Sequence, residues 1–179
     1  YSKDEGQMFL SDKPIDFKNP KEALENGVAM GHQELNQCLD RSVTDNLFLG
    51  RYPLRFGIID ETRMLKEANQ LFASLSMNVN PRTVMRTMSV SHRQMVEIAK
   101  AVSYDAKIIV LDEPTSSLTE REVKKLFSII DDLRKKGVSF IYISHKMDEV
   151  FEICDDVEVL RDGKMVLSKP VAETNMDEI

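Results

Sequence analysis

Residues 108–111, Ile-Ile-Val-Leu, run directly into Asp112, Glu113 and Pro114. A short apolar run of this kind suits a strand buried in a parallel sheet, and the proline stops it. In open α/β sheets, ligands bind at the carboxyl ends of strands, which is where these two acids would sit. One acid there can hold a divalent cation on a nucleotide while its neighbour acts on an attacking water. A lone apolar-Asp-Glu string also fits a plain acidic turn, so the rest of the chain has to decide.

The chain has 179 residues, enough for one domain or one domain with a small appendage. With 42% hydrophobic and 30% charged residues, the composition is that of a soluble globular protein. A net charge of −6 argues against a large basic surface, so no nucleic-acid partner is expected. No apolar run approaches the roughly 18 residues of a membrane helix, and no signal peptide is recognisable at the start. Cys38 and Cys154 lack metal or disulfide spacing and read as reduced thiols of a cytosolic protein. His32, His92 and His145 are too scattered for a zinc site.

Residues 8–18 look like a short hairpin turned at Asp12 and Lys13. Asn19 caps an expected helix from Pro20 to Gly27, and Val28–Met30 form a brief strand running into Gly31, His32 and Gln33. A helix is expected from Val43 to Leu49, with a break at Gly50 and Pro53. From Asp60 the spacing of Met64, Leu65, Ala68, Leu71, Phe72 and Leu75 places them on one helical face, up to Asn78, Asn80 and Pro81. Ser91 is the expected N-cap of a second helix through Met95, Ile98, Ala99 and Val102.

Thr119 to Glu122 read as a capping box. The helix behind it buries Val123, Leu126, Phe127, Ile130 and Leu133, ends at Gly137, and pairs Glu120 with Lys124 and Asp131 with Lys135 on its exposed side. Val138–Ile143 is the next buried strand, followed at once by Ser144 and His145. A helix over 147–154, a strand Val157–Leu160, an Asp162-Gly163 turn and a strand Lys164–Leu167 complete the chain. Strand, helix, strand implies a right-handed crossover between two parallel neighbours.

Glu113 and His145 each follow a buried strand within two residues. If those strands are neighbours, both side chains emerge on one sheet edge and give a base with a polar partner. Gln33 also follows a strand, where an amide can ligate Mg²⁺ or orient water, although a surface glutamine reads the same. Ser89 and Ser91 precede a helix whose free N–H groups suit an anion such as phosphate, although a plain N-cap reads the same.

Four segments then occur in order: His32–Asn36 (HQELN), Met88–Ala101 (MSVSHRQMVEIAKA), Ile109–Thr119 (IVLDEPTSSLT) and Tyr142–Met147 (YISHKM). Together they resemble the ATP-binding subunits of ABC transporters, in the branch of bacterial monosaccharide importers, across essentially the whole chain. The resemblance implies an α/β fold: a P-loop NTPase-like core with a mainly parallel sheet plus a helical subdomain. Residues 1–34 would be the remnant of the N-terminal core with the Q-loop, 35–105 the helical subdomain ending in the signature helix, and 106–179 the catalytic half.

It also implies roles. Gln33 matches the Q-loop glutamine that senses Mg²⁺ and water. Ser89, Val90 and Ser91 match the signature segment that contacts the γ-phosphate held by the opposite subunit. Asp112 matches the Mg²⁺-supporting aspartate, Glu113 the glutamate that polarises the attacking water, and His145 the switch histidine at the γ-phosphate. Ser116, Ser117, Leu118 and Thr119 match the D-loop at the dimer seam. ATP and Mg²⁺ are the implied cofactors. The implied partners are a membrane permease, a second nucleotide-binding domain and, indirectly, an extracytoplasmic sugar-binding protein. The implied place is peripheral, on the cytoplasmic side of the bacterial inner membrane. The implied sugar is galactose or methyl galactoside, with ribose or xylose next.

The chain departs from the family pattern at several points. Met88 stands for the leucine of the signature and His92 for its final glutamine, while Val90 and Ser91 lack the freedom of glycine. Thr119 stands where many relatives have Asp. None of the seven glycines, at 6, 27, 31, 50, 57, 137 and 163, belongs to a G-x-x-x-x-G-K-[ST] phosphate loop. The sequence therefore reads as a truncated nucleotide-binding domain that is inactive alone and exposes apolar core surface. A soluble ABC-type ATPase of translation or DNA repair and a non-catalytic permease-docking module are the competing expectations.

Overall fold

A computed structural model describes residues 5–31, 36–176 and 178. The first element is a hairpin, β1 (Met8–Leu10) with β2 (Lys13–Ile15). Its turn is Ser11-Asp12, one residue earlier than the expected Asp12-Lys13, and both residues have positive φ, 49° and 62°. That pair of left-handed residues matches the twist of the flanking strands. Helix α1 (Pro20–Glu25) is capped by Asn19, whose side chain accepts from the Glu22 N–H. Gly27, at φ 88°, then turns the chain into β3 (Val28–Gly31).

Helix α2 (Val43–Leu47) starts at a Ser42–Asp45 capping box and stops two residues sooner than expected. A small hairpin that the sequence did not announce follows, β4 (Leu54–Arg55) and β5 (Ile58–Ile59), turned at Phe56-Gly57. Helix α3 (Glu61–Ser74) is capped by Asp60 and buries Met64, Ala68 and Phe72. It ends well before Asn78, where Ser76 takes a left-handed φ of 52°. Helix α4 is Val90–Val102.

The central sheet has the order β3–β6–β7, with β6 (Ile108–Asp112) between β3 and β7 (Ser139–Ile143) and all pairings parallel. Helix α5 (Glu120–Arg134) links β6 to β7, so the expected parallel neighbours are present. After α6 (Met147–Ile153), strands β8 (Asp156–Arg161) and β9 (Lys164–Pro170) form a separate antiparallel hairpin at Asp162-Gly163. The charged pairs on α5 differ from expectation: Asp131 pairs with Arg134 and Lys135 with Asp132, three residues apart instead of four.

Strand alternation divides the sheet into two unlike faces. Ala29, Ile109 and Leu111 are buried against α4 and α5, and Phe140 and Tyr142 are partly buried on the same side. Gly31 completes this face, because a Cβ there would meet Leu111 Cδ2 at 3.2 Å. On the opposite face Met30, Ile141 and Ile143 stay 42%, 52% and 46% exposed. The expectation of a buried strand over Val138–Ile143 is therefore corrected: β7 half-buries Phe140 and Tyr142 on one side and leaves Ser139, Ile141 and Ile143 exposed on the other. Met30, Ile141 and Ile143 thus leave an apolar surface on this face.

Arg51 fixes the end of α2 against the end of α4. Its guanidinium donates to Leu47 O and Ser103 O, each at 2.9 Å, and lies 4.0 Å from the Tyr104 ring centroid. A planar fork serves such a site and an ammonium does not.

Two measurements follow. Arg51→Lys should lower unfolding free energy by about 1–3 kcal/mol in urea titration, the scale of lost hydrogen bonds plus ring contact. Replacing Ile141 and Ile143 by serine should reduce binding of a hydrophobic fluorophore to the native chain, since the open face carries the exposed apolar area.

Candidate functional site

The register of the central sheet sets the site. Asp112 pairs with Ile143 at the carboxyl ends of β6 and β7. The pairing then extends one step, because the Glu113 N–H donates to Ile143 O at 2.9 Å. Glu113 has a left-handed φ of 46°, which turns its side chain away from the strand line and toward the next loop. There the His145 ring Nδ1 lies 2.7 Å from Glu113 Oε1, and the His145 backbone N–H donates to the same oxygen at 3.2 Å. The expected base and imidazole are thus in contact. The carboxylate side chain is 15% exposed and the imidazole 78%, so an open ring stands beside a nearly buried acid. Glu113 Oε2 is buried and accepts no hydrogen bond among the described residues.

Asp112 is half-buried at the end of β6, on the same sheet face as Val110 and Ile108. Gln33 lies outside the described residues. No cluster of three or more His, Cys, Asp or Glu that would hold a metal by itself occurs among the described residues. A magnesium ion keeps several waters and binds through one or two carboxylates plus substrate phosphates. Asp112, a half-buried carboxylate at a strand end, fits that mode and not a dedicated protein cage.

The 116–119 segment leaves Glu113 through tight turns: Ser116 N–H donates to Glu113 O at 3.2 Å and Leu118 N–H to Thr115 O at 3.1 Å. Ser117 Oγ is buried without a hydrogen-bond partner among the described residues. The Thr119 N–H and hydroxyl both donate to Glu122 Oε2, at 2.9 and 2.8 Å. The Glu122 carboxyl is held below its usual range, first by the Thr119 N–H and then, against some desolvation, by the hydroxyls of Thr119 and Ser91.

The start of α4 carries the other expected group. Here Ser89, not the expected Ser91, is the N-cap of α4: its Oγ accepts from the His92 N–H at 3.3 Å. Ser89 has the extended conformation a cap needs (φ −62°, ψ 158°), whereas Ser91 already lies in the first helical turn. Ser89 Oγ also lies 2.7 Å from His92 Nδ1 and 3.1 Å from Ser91 Oγ. Val90 points outward, 47% exposed. None of the side-chain hydrogen bonds of Ser89 or Ser91 described above reaches Glu113 or His145, so the segments form two separate groups.

A buried network that sequence reasoning missed lies behind the acid–imidazole pair. Glu149 Oε2 accepts from Thr115 Oγ1 at 2.8 Å and from Tyr142 OH at 2.7 Å, and Lys146 Nζ reaches Glu149 Oε1 at 3.1 Å. Burial pushes the Glu149 carboxyl up, but hydrogen bonds from Tyr142, Thr115 and Lys146 outweigh it and hold the group below its usual range. Burial, reinforced by Glu149, raises the Tyr142 phenol far above its ordinary value. Four residues apart in type and position give no sequence signal; the spacing of Lys146 and Glu149 along α6 was the one available hint.

Parallel strands that deliver an acid pair and an imidazole to one rim, with a helical unit alongside, define an ATP-binding cassette. Solved cassettes share this fold. A nucleotide-free ATP-binding cassette from an ABC transporter matches with TM-score 0.82 and 23% identity, over 95% of this chain and 71% of its own. Another cassette, in an ADP conformation, matches with TM-score 0.80 and 24% identity, over 97% and 72%. The ABC transporter family model matches residues 1–116, and the chain belongs to that family.

Among its relatives, the galactose/methyl galactoside import ATP-binding protein MglA of Treponema denticola is 78% identical over all 179 residues, which are 36% of that protein. The proteins of the same description from Treponema pallidum and Escherichia coli K12 are 70% and 52% identical, over 36% and 35% of their lengths. The chain thus spans about a third of the length of these relatives.

The depressed Glu149 carboxyl gives a pH signature. A lowered folded-state value means stability that is present above the ordinary carboxylate value of 4.5 and lost as pH falls through the folded one. Chemical denaturation between neutrality and pH 3 should show this loss, and Glu149→Gln should flatten it.

Proposed function

We propose that this chain is the catalytic-rim part of the ATP-hydrolysing subunit of a bacterial ABC importer for a monosaccharide, galactose or methyl galactoside foremost. The observation that carries it is the 2.7 Å contact between Glu113 and His145 beside Asp112, at the carboxyl ends of two parallel strands. Names of relatives up to 78% identical support the sugar class.

On this reading Glu113 orients the attacking water. Its Oε1 lies against the exposed His145 ring at the rim, the side from which the water would be engaged. His145, exposed and held by Glu113, presents its other ring nitrogen toward the terminal phosphate. Asp112 would hold Mg²⁺, with Gln33 as the second contributor; the bound ion supplies charge neutralisation of the phosphates. Ser89, Val90 and Ser91 at the start of α4 present a hydroxyl and free N–H groups to a phosphate held by a second nucleotide-binding domain. Residues 116–119 would lie at that seam.

The remaining partners are a membrane permease, against which the helical unit of residues 35–105 docks, and indirectly an extracytoplasmic sugar-binding protein. The subunit would sit peripherally on the cytoplasmic side of the inner membrane. No helix among the described residues is long and apolar enough to cross a membrane.

Phosphoryl transfer depends on positioning and charge stabilisation, and these 179 residues contain no glycine-rich lysine loop to grip the phosphates. Alone, the polypeptide should bind Mg-ATP weaker than about 100 μM by calorimetry, on the affinity scale where 1 μM corresponds to about −8 kcal/mol; micromolar binding would sink that expectation. In the full-length subunit assembled with its permease, Glu113→Gln should lower ATP hydrolysis on the order of a hundredfold or more with nucleotide still bound. Undiminished hydrolysis by that variant would overturn the assignment of Glu113.

A further inference from the structure

We propose that Thr115, Tyr142, Lys146 and Glu149 form a latch that locks the loop after β6 to the loop after β7 and so sets the Glu113–His145 contact. The inference rests on the functional reading above for its purpose, but its geometry stands by itself. Thr115 lies two residues after Glu113 and is 1% exposed. Lys146 is the residue after His145, and Tyr142 lies on β7 three residues before it. The backbone around the pair is joined by few bonds, the Glu113 N–H to Ile143 O and the His145 N–H to Glu113 Oε1. Nothing else described holds the imidazole at its distance.

Glu149 supplies the missing tie. One carboxylate oxygen accepts from both the Thr115 hydroxyl and the Tyr142 phenol, and the other faces Lys146 Nζ. Lys146 Nζ closes the ring by donating to Thr115 Oγ1 at 3.1 Å and lies 3.4 Å from Thr115 O. The carboxylate belongs to neither loop; it sits on α6 and bonds to both. A structural helix cap needs a single partner, whereas this acid collects three donors from one strand end and two loops. Buried charge is seldom a gain in stability over an apolar packing, so the stability this carboxylate contributes does not by itself account for its three donors, which fix geometry as well. The Tyr142 ring also meets Phe127 edge-on, with centroids 6.3 Å apart, which connects the latch to α5 and hence to the segment 116–119. Thr115 and Glu149 are therefore positioning residues: they act on the reacting groups through Glu113 and His145.

Amide hydrogen exchange of the 179-residue chain, read residue by residue, tests the latch without nucleotide. Thr115→Val removes the hydroxyl at nearly constant shape, and Thr115→Ser restores it. The valine variant should speed exchange of the Glu113 and His145 amides on the order of tenfold, the scale of a lost buried hydrogen bond, with Val110 and Ile141 in the strand centres unchanged. The serine variant should return both amides to within about twofold of the parent. Tyr142→Phe, which deletes one donor and keeps the ring, should act in the same direction. Uniform acceleration across the sheet, or no change at Glu113 and His145 in either the valine or the phenylalanine variant, would overturn the latch. A failure of the hydrolysis reading would leave these exchange rates as they are, so the two ideas fall separately.

Discussion

The in-register parallel pairing of β6 with β7 is the constraint on which the rest depends. Asp112 stands opposite Ile143, and the ladder runs on to the Glu113 N–H. A slip of one residue would exchange the two sheet faces and carry Glu113 to the wrong side. The correct register is enforced by Ile109 and Leu111, each 1% exposed, which fit only when they face α4 and α5. Hydrophobic packing on one face thus decides where a carboxylate appears at the edge. The left-handed backbone of Glu113 costs about 1 kcal/mol for a residue with a side chain. It persists because an N–H bond, an imidazole contact and the following Pro114, itself almost fully buried, all require it.

Long apolar periodicities and turn pairs were legible in the sequence. Met64, Ala68 and Phe72 of α3, which are buried as expected, the capping box at Thr119 and the Asp162-Gly163 turn all reflect local physics that a short window contains. The contact of Glu113 with His145 was legible too, because a strand–helix–strand order leaves few arrangements. Other features were not. The cap of α4 moved from Ser91 to Ser89, since both serines offer the same oxygen and only the backbone angles choose between them. The β4–β5 hairpin has just two residues per strand and a Phe56-Gly57 turn, too short for an alternation to register. The exposure of β7 depends on what covers a sheet, which no property of Ser139–Ile143 records.

Hydroxyl groups near the site are mostly engaged. Thr119 directs both of its donors to Glu122, so it acts as a helix cap with its donors already used. The Ser89 hydroxyl is shared among the His92 N–H, the His92 ring and Ser91. The Glu122 carboxylate accepts both donors of Thr119 at the start of α5, while the Ser89 group stands at the start of α4.

Strand alternation also explains how two adjacent acids acquire different surroundings. Asp112 continues the side of β6 occupied by Ile108 and Val110, the face that carries exposed Met30 and Ile141. Glu113, rotated by its left-handed backbone, leaves that alternation and turns to His145 instead. Had it kept strand geometry, its side chain would have entered the packed face with Leu111, where a carboxylate has no partner and is costly to bury. The turn at Glu113 resolves this conflict. Asp112 remains on the open face of the sheet, and Glu113 stands at the rim in contact with an imidazole. A single backbone angle thus converts a repeated residue type into two chemically distinct positions.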